Sequence, residues 1–175
     1  MKELSFKNIQ YLALPAIISG ITEPILSATD AAVVGNIPIY GTEALAAVGV
    51  VGSFLSMLIW VLAQTRSAIS TIVAQNLGAG KVAGLHRFPG QAIVFNVGLG
   101  VLVLAITSLF IQEIFVLLNA QGLVLDLSMS YYKIRVWGFP FTLFTFALFG
   151  VFRGLQNTIY PMIVAGLGAL LNVGL

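Results

Sequence analysis

The chain has 175 residues, of which 59% are hydrophobic and only 8% are charged, and its mean hydropathy is +1.03. Soluble domains average about 25% charged residues, so lipid is the expected solvent for most side chains. The eight Lys and Arg residues give a net charge of +2 but form no run, which argues against a nucleic-acid partner. There is no Cys, and His86 is the single histidine, so neither a disulfide framework nor a metal site is expected.

The N-terminus is short and basic, with Lys2 and Lys7 ahead of a long apolar stretch. This stretch continues to about Ile37, much further than the apolar region of a signal peptide, and more apolar segments follow it. We interpret it as an uncleaved first membrane helix.

Five apolar segments follow one another along the chain. A membrane-spanning helix needs about 20 apolar residues, and none of the segments shows the period-two alternation of a barrel strand. The sequence therefore predicts an all-α membrane protein with a single membrane domain over residues 1–175. The predicted helices cover residues 9–37, 42–77, 91–110, 127–149 and 159–175.

The fifth segment is still apolar at Leu175 and has no polar flank. We therefore expect the native chain to continue beyond this residue. A complete five-helix chain is the alternative.

The distribution of basic residues predicts the orientation in the membrane. Lys133 and Arg135, near the outer end of the fourth segment, weaken the bias without reversing it. The positive-inside rule favours a cytoplasmic N-terminus. The basic residues on the inner side are then Lys2, Lys7, Lys81, Arg87 and Arg153.

Two acidic residues, Glu23 and Asp30, interrupt the first segment. They are seven residues apart and so lie on nearly one face of a helix. A carboxylate inside a bilayer costs about 2.5–3.5 kcal/mol unless it faces a cavity, is paired or is protonated. A low dielectric disfavours the charged form of a carboxyl group, as a proton relay requires. Ion coupling is therefore one interpretation, and a structural acid, paired with Arg66 or capping a broken helix, is the other.

Two prolines, Pro15 and Pro24, lie in the same segment. Each removes a backbone hydrogen bond, which bends or loosens a helix. A bend beside an intramembrane acid is a plausible moving part of a transporter. Proline is also common in membrane helices, so a purely structural role stays open.

Arg66 is the single basic residue within the second segment, and it lies in the polar patch Gln64-Thr65-Arg66-Ser67. Buried arginines in membrane bundles have partners, so an ion pair, with Glu23 at similar depth, and a substrate contact are the two interpretations. Asn96 and Asn172 are polar residues in apolar segments and are expected to form hydrogen bonds between helices.

Small residues four apart recur in the second segment and directly after the fourth. This spacing is typical of helices that approach each other closely. The pairs are Gly49 with Ser53, Gly52 with Ser56, and Gly150 with Gly154. No phosphate-binding loop, paired-histidine motif or nucleophile with a base is present, so the sequence does not predict an enzyme.

Several stretches, taken in order, resemble the multidrug and toxic compound extrusion (MATE) transporters. Arg66 and Ile134-Arg135 point further to the DinF-like branch, and the resemblance covers essentially the whole chain. The stretches are Leu12-Ala13-Leu14-Pro15, Thr29-Asp30-Ala31-Ala32-Val33-Val34-Gly35, Glu43-Ala44-Leu45-Ala46-Ala47-Val48-Gly49, Ala74-Gln75-Asn76-Leu77-Gly78-Ala79-Gly80 and Phe152-Arg153-Gly154-Leu155-Gln156-Asn157-Thr158.

The resemblance implies a twelve-helix fold of two six-helix lobes around a central cavity, in the plasma (inner) membrane. It implies antiport of drugs or organic compounds against H+ or Na+. Asp30 then matches the acid implicated in ion coupling, Pro15 the proline that bends with that step, and Asn172 a polar residue of helix five. This chain would supply most of the N-terminal lobe, ending within helix five, and would need a C-terminal lobe to form the cavity.

Three functions compete at this stage. The first is an ion-coupled antiporter that exports small organic substrates, with the lipid bilayer and the C-terminal lobe as partners and no cofactor other than the ion. The second is a lipid-linked precursor flippase of the same superfamily, for which Arg66, Lys133 and Arg135 are the available cations. The third is a non-transporting five-helix scaffold subunit, against which the two acids on one face argue.

Overall fold

The computed structural model describes residues 6–174, and their side chains except at positions 7, 8, 19, 22–24, 26, 27, 30, 173 and 174. This part of the chain is helical. The helices are α1 Phe6–Gly35, α2 Gly41–Leu62, α3 Gln64–Gly78, α4 Phe88–Leu109, α5 Ile111–Leu117, α6 Leu123–Arg135, α7 Phe139–Gly154 and α8 Ile159–Gly174, and a 3-10 turn, Val136–Gly138, joins α6 to α7.

Three helical stretches of the described residues are long and apolar enough to cross a membrane. They are Gly41–Gly78, Phe88–Leu109 and Leu123–Gly154. Two shorter apolar stretches, Ile9–Ile18 and Ile159–Asn172, belong to α1 and α8. The predicted class, an all-α membrane protein, is confirmed.

The second predicted segment, 42–77, is two helices in the structure, because the helical hydrogen-bond pattern changes at Ala63. The Arg66 N–H donates to the carbonyl of Ala63, three residues back, at 3.1 Å. The carbonyl of Leu62, which a regular helix would use for this bond, accepts from the Thr65 hydroxyl at 2.7 Å. The Thr65 hydroxyl thus binds the carbonyl that the Arg66 N–H would use in a regular helix, at the point where α2 ends and α3 begins.

The fourth predicted segment, 127–149, is also divided and extends further at both ends. It consists of α6, the 3-10 turn and α7, from Leu123 to Gly154. Pro140 lies in the first turn of α7, where its missing N–H leaves no intrahelical hydrogen bond unmade. The proline therefore favours a new helix start at this point.

The helices pack in two groups. The helices α6 and α7 follow one another through the 3-10 turn, and α7 belongs to the first group and α6 to the second. In the first group α3 and α4 both pack on α7, with Ile69, Val73, Ala92, Ala147 and Val151 in its core. In the second group α2 packs on α6, and α5 also packs on α6. The helix α1 packs on α8 and on α2.

The second group is centred on three aromatic rings. Phe54 of α2, Phe115 of α5 and Tyr132 of α6 contact one another, with ring centroids 5.7–6.1 Å apart. The Tyr132 hydroxyl donates to Thr107 of α4, whose hydroxyl donates to the Val103 carbonyl at 2.6 Å. The hydroxyl of the buried Tyr132 therefore has a hydrogen-bond partner.

Glycines of α7 set the distance between α7 and α3. A Cβ atom added at Gly154 would lie 2.6 Å from Cβ of Val73, and one added at Gly150 would lie 2.8 Å from the Arg66 carbonyl oxygen. The predicted close approach at Gly150 and Gly154 is therefore confirmed, and α3 is its partner. Among the described residues nothing lies within 4 Å of a Cβ added at Gly49 or Gly52, so for those two pairs the close approach stays a prediction.

Candidate functional site

The first predicted helix carries most of the residues proposed for ion coupling. The helix α1 continues through Pro15, whose side chain is partly buried. The side chains of Glu23, Pro24 and Asp30 lie outside the described residues. Their roles in coupling and bending therefore stay predictions.

Asn172, the candidate on α8, lies near the end of that helix and has an exposed side chain. Because α8 packs on α1, Asn172 belongs to the same pair of helices as Asp30. Asn172 forms no hydrogen bond with the other described residues, and its role in the cavity stays a prediction.

The depth of the polar patch on α3 follows from its contact with α4. The 22 residues of α4 span about 33 Å, close to the roughly 30 Å of a bilayer hydrocarbon core. Asn96, the ninth of these residues, is fully buried. Its Oδ1 lies 2.7 Å from the Thr65 hydroxyl, so Thr65 and the adjacent Arg66 are near the middle of the membrane.

The contact between Thr65 and Asn96 links the break at Ala63 to α4. The single Thr65 hydroxyl proton has two acceptors at 2.7 Å, the Leu62 carbonyl and Asn96 Oδ1. The Asn96 Nδ2 group donates to the Ala92 carbonyl at 2.9 Å. The predicted interhelical hydrogen bond of Asn96 is thus confirmed.

Arg66 projects towards α7. Its guanidinium lies over the ring of Phe146, 5.3 Å from the ring centroid, in a cation–π contact. Its Nε atom is buried and has no hydrogen-bond partner. Among the described residues no carboxylate pairs with Arg66, and the predicted partner Glu23 lies outside them.

The other basic residues proposed with Arg66 lie elsewhere. Lys133 and Arg135 are exposed on α6, and the Arg135 guanidinium lies over the Tyr131 ring at 5.6 Å. Arg66 lies over Phe146, which is eleven residues, or about 16 Å of helix, beyond Arg135, so these residues and Arg66 do not form one cationic group. Arg153 is instead on α7, seven residues beyond the Phe146 ring that Arg66 covers. Sequence reasoning missed the contact of Arg66 with Phe146, although Gly150 and Gly154 on the same helix pointed to a helix contact there.

A row of exposed polar residues runs along α2 and α3, and we call it the polar stripe. Its members are Ser53, Ser56, Gln64, Ser67, Thr71 and Gln75. Successive members are three or four residues apart, except that Ser56 and Gln64 are eight apart with the exposed Trp60 midway between them. All six therefore share one face. The spacing was readable in the sequence, but the exposure was not.

The exposed face of α4 differs from the polar stripe in composition. Between Val94 and Ile106 every exposed residue is apolar or glycine, as a lipid contact requires. Polar residues within membrane helices face cavities or other protein instead of lipid. The polar stripe therefore marks the face of α2 and α3 that turns away from lipid.

Comparison with known proteins decides the family. The sequence profile of the MatE family matches residues 15–175. The chain belongs to the MatE family.

The relatives of this MatE chain include named resistance proteins. It is 30% identical over 171 residues to the DNA damage-inducible protein F of Escherichia coli, covering 97% of this chain and 36% of that protein. It is 27% identical to the multidrug resistance protein MdtK of Edwardsiella ictaluri and 26% to a probable multidrug resistance protein NorM of Thermotoga maritima, covering 95% of this chain in both cases.

The chain thus spans about a third of the length of these relatives, with 35–36% of each covered. No solved structure matches it significantly. The family membership confirms the predicted resemblance, including its link to a DinF relative.

Proposed function

We propose that this chain is most of the N-terminal lobe of an exporter that moves drugs or organic compounds across the membrane against H+ or Na+. The observation that carries the proposal is the polar stripe. Polar groups that span a membrane helix on one exposed face are typical of a water-accessible substrate path. The named multidrug resistance relatives support the same substrate class.

The coupling residue in this proposal is Asp30, with Glu23 as a second site on the same face of α1. A carboxyl group whose solvation changes during the transport cycle binds an ion on one side and releases it on the other. The helix α1 packs on α2, which carries the outer part of the polar stripe. Substrate and ion would therefore bind to neighbouring helices and be coupled through them.

The decisive experiment is dye efflux from cells that express the gene product containing this chain, with pH and Na+ gradients imposed separately. Asp30→Asn keeps the size of the side chain and removes its titration. We expect it to nearly abolish gradient-driven efflux at matched amounts of inserted protein. Glu23→Gln should do so only if Glu23 titrates, and should otherwise reduce stability. Wild-type efflux by Asp30→Asn would refute the coupling mechanism.

The proposal includes a cytoplasmic N-terminus, in the inner membrane. The loop between α3 and α4 then faces the cytoplasm, with exposed Lys81 and Arg87. Because this chain has no native Cys, it adds no background to the labelling of a Lys81→Cys variant. We expect an impermeant maleimide to label it only after cell lysis, and labelling in intact cells would reverse the topology.

The two alternatives have less support. A flippase for a pyrophosphate-linked lipid would gather several cations in one cavity, but Lys133 and Arg135 are on a different helix pair from Arg66. A scaffold subunit has no need of a polar stripe.

A further inference from the structure

Arg66 carries a permanent positive charge near the middle of the membrane, and the helices of its packing group contain no acidic residue. Both α3 and α4 pack on α7, and none of the three sequences contains Asp or Glu. An arginine side chain stays protonated in proteins. Inside a membrane bundle such a charge is stable only beside an anion, backbone carbonyls or water. The group itself therefore supplies no anion for Arg66.

The acidic residues whose side chains the structure describes belong to the other packing group. They are Glu43, Glu113 and Asp126, on α2, α5 and α6. Glu43 precedes Arg66 by 23 residues, or about 34 Å of helix. Asp126 precedes Phe146, the residue that Arg66 covers, by 20 residues, or about 30 Å. The helix α1, which carries two further acids, packs on α8 and α2.

The Arg66 guanidinium is held in one orientation and has unused hydrogen-bonding capacity. The Phe146 ring covers one face of the group, with its centroid 5.3 Å away. The Nε atom is buried and has no acceptor, which is an unfavourable state for a donor. A stacked guanidinium presents N–H groups along its planar edge, and these match the two oxygens of a carboxylate. The side chain is thus preorganised for a planar anion.

Polar side chains connect Arg66 with the polar stripe. Arg66 is only partly buried, and so is Ser70. Ser70 follows Arg66 by four residues and follows Ser67, a member of the stripe, by three, so it is a neighbour of both on the surface of α3. A compound that moves along the stripe therefore reaches the guanidinium over a polar surface.

We propose that Arg66 determines specificity in the export path by binding a carboxylate group of the transported compound. This inference rests on the proposed export function and names its substrate class, organic compounds that carry a carboxylate. A carboxylate accepts two parallel N–H bonds from a guanidinium, whereas an ester of the same compound has no charge to offer. Phe146 is a positioning residue, because its ring fixes the plane of the guanidinium.

The test compares a rhodamine dye that has a free carboxylate with the ethyl ester of the same dye. Binding of each dye to the purified full-length protein in neutral detergent is measured by fluorescence polarisation. We expect Arg66→Gln to weaken binding of the acid at least about tenfold, because a charge-assisted pair of hydrogen bonds is lost. Binding of the ester should stay unchanged. Lys133→Gln, exposed on α6, is the matched control and should change neither dye.

Unchanged binding of the acid by Arg66→Gln, or equal weakening of both dyes, would overturn the proposal. If Arg66→Gln does not fold, Arg66→Lys and Phe146→Leu replace it. The first keeps the charge without the planar fork and the second removes the ring, so each should weaken the acid selectively. A wild-type protein that gains affinity for the acid only in Glu23→Gln would also contradict the proposal, because Glu23 would then be the partner of Arg66.

Efflux of the two dyes from cells separates this inference from the proposed function. The ester does not need Arg66, so its efflux tests the exporter itself. In Arg66→Gln the half-saturating concentration for efflux of the acid should rise while the maximal rate is kept. Absence of efflux for both dyes in the wild type would refute the proposed function, and the binding comparison would still decide whether Arg66 binds a carboxylate.

Discussion

Two exposed faces of this protein differ in composition although both belong to helices long enough to cross the membrane. The face of α4 from Val94 to Ile106 is apolar throughout, whereas the face of α2 and α3 carries the polar stripe. Exposure alone therefore does not identify a lipid contact. The contrast shows that the bundle has a lipid side and a polar side, and the proposed substrate path lies on the second.

The strongest test of this contrast places the same charge on each face. Val101 of α4 and Gln64 of α3 are both exposed, and they lie five residues and one residue from the contact of Asn96 with Thr65, so both are in the central part of the membrane. We expect Val101→Asp to cost about 3 kcal/mol, the penalty of a carboxylate at the centre of a lipid-facing helix. Gln64→Asp should cost much less. The measurement is the fraction of protein inserted and folded, and equal losses would mean that both faces meet lipid.

A second test compares the exposed polar stripe face of α2 with the buried contact between α3 and α7. Gly154→Ala should destabilise by about 2 kcal/mol, because the new methyl group would lie 2.6 Å from Val73 at the contact between α3 and α7. Gly49→Ala, on the exposed face, meets nothing within 4 Å and should be neutral or stabilising. Thermal unfolding in detergent measures both. A stable Gly154→Ala variant would contradict the close packing.

The mildest test measures water access. Single cysteines at Thr71 and at Leu102 are expected to differ at least about tenfold in their rate of reaction with a water-soluble maleimide, because the thiolate reacts and forms only where water reaches it. These 175 residues contain no native Cys. Equal rates in native membranes would show that the polar stripe is covered by protein or lipid.

The sequence predicted well that the segments are apolar membrane helices, because apolar runs and charge distribution depend on single residues and their neighbours. It located the polar patch around Arg66 and the close contact at Gly150 and Gly154. It did not predict the divisions at Ala63 and at Val136–Gly138. These depend on local backbone hydrogen bonds, such as that of Thr65, which a continuous apolar run conceals.

The amino-acid sequence by itself determined that this is a helical membrane protein of the MatE family, with acids on its first helix and an arginine within its second segment. Only the tertiary structure decided which faces are buried, that Arg66 lies over Phe146, and that Thr65 meets Asn96. The physical reason is that lipid and protein interior are equally apolar, so hydrophobic periodicity does not distinguish a lipid-facing surface from a packed one. Side-chain contacts between distant segments make that distinction.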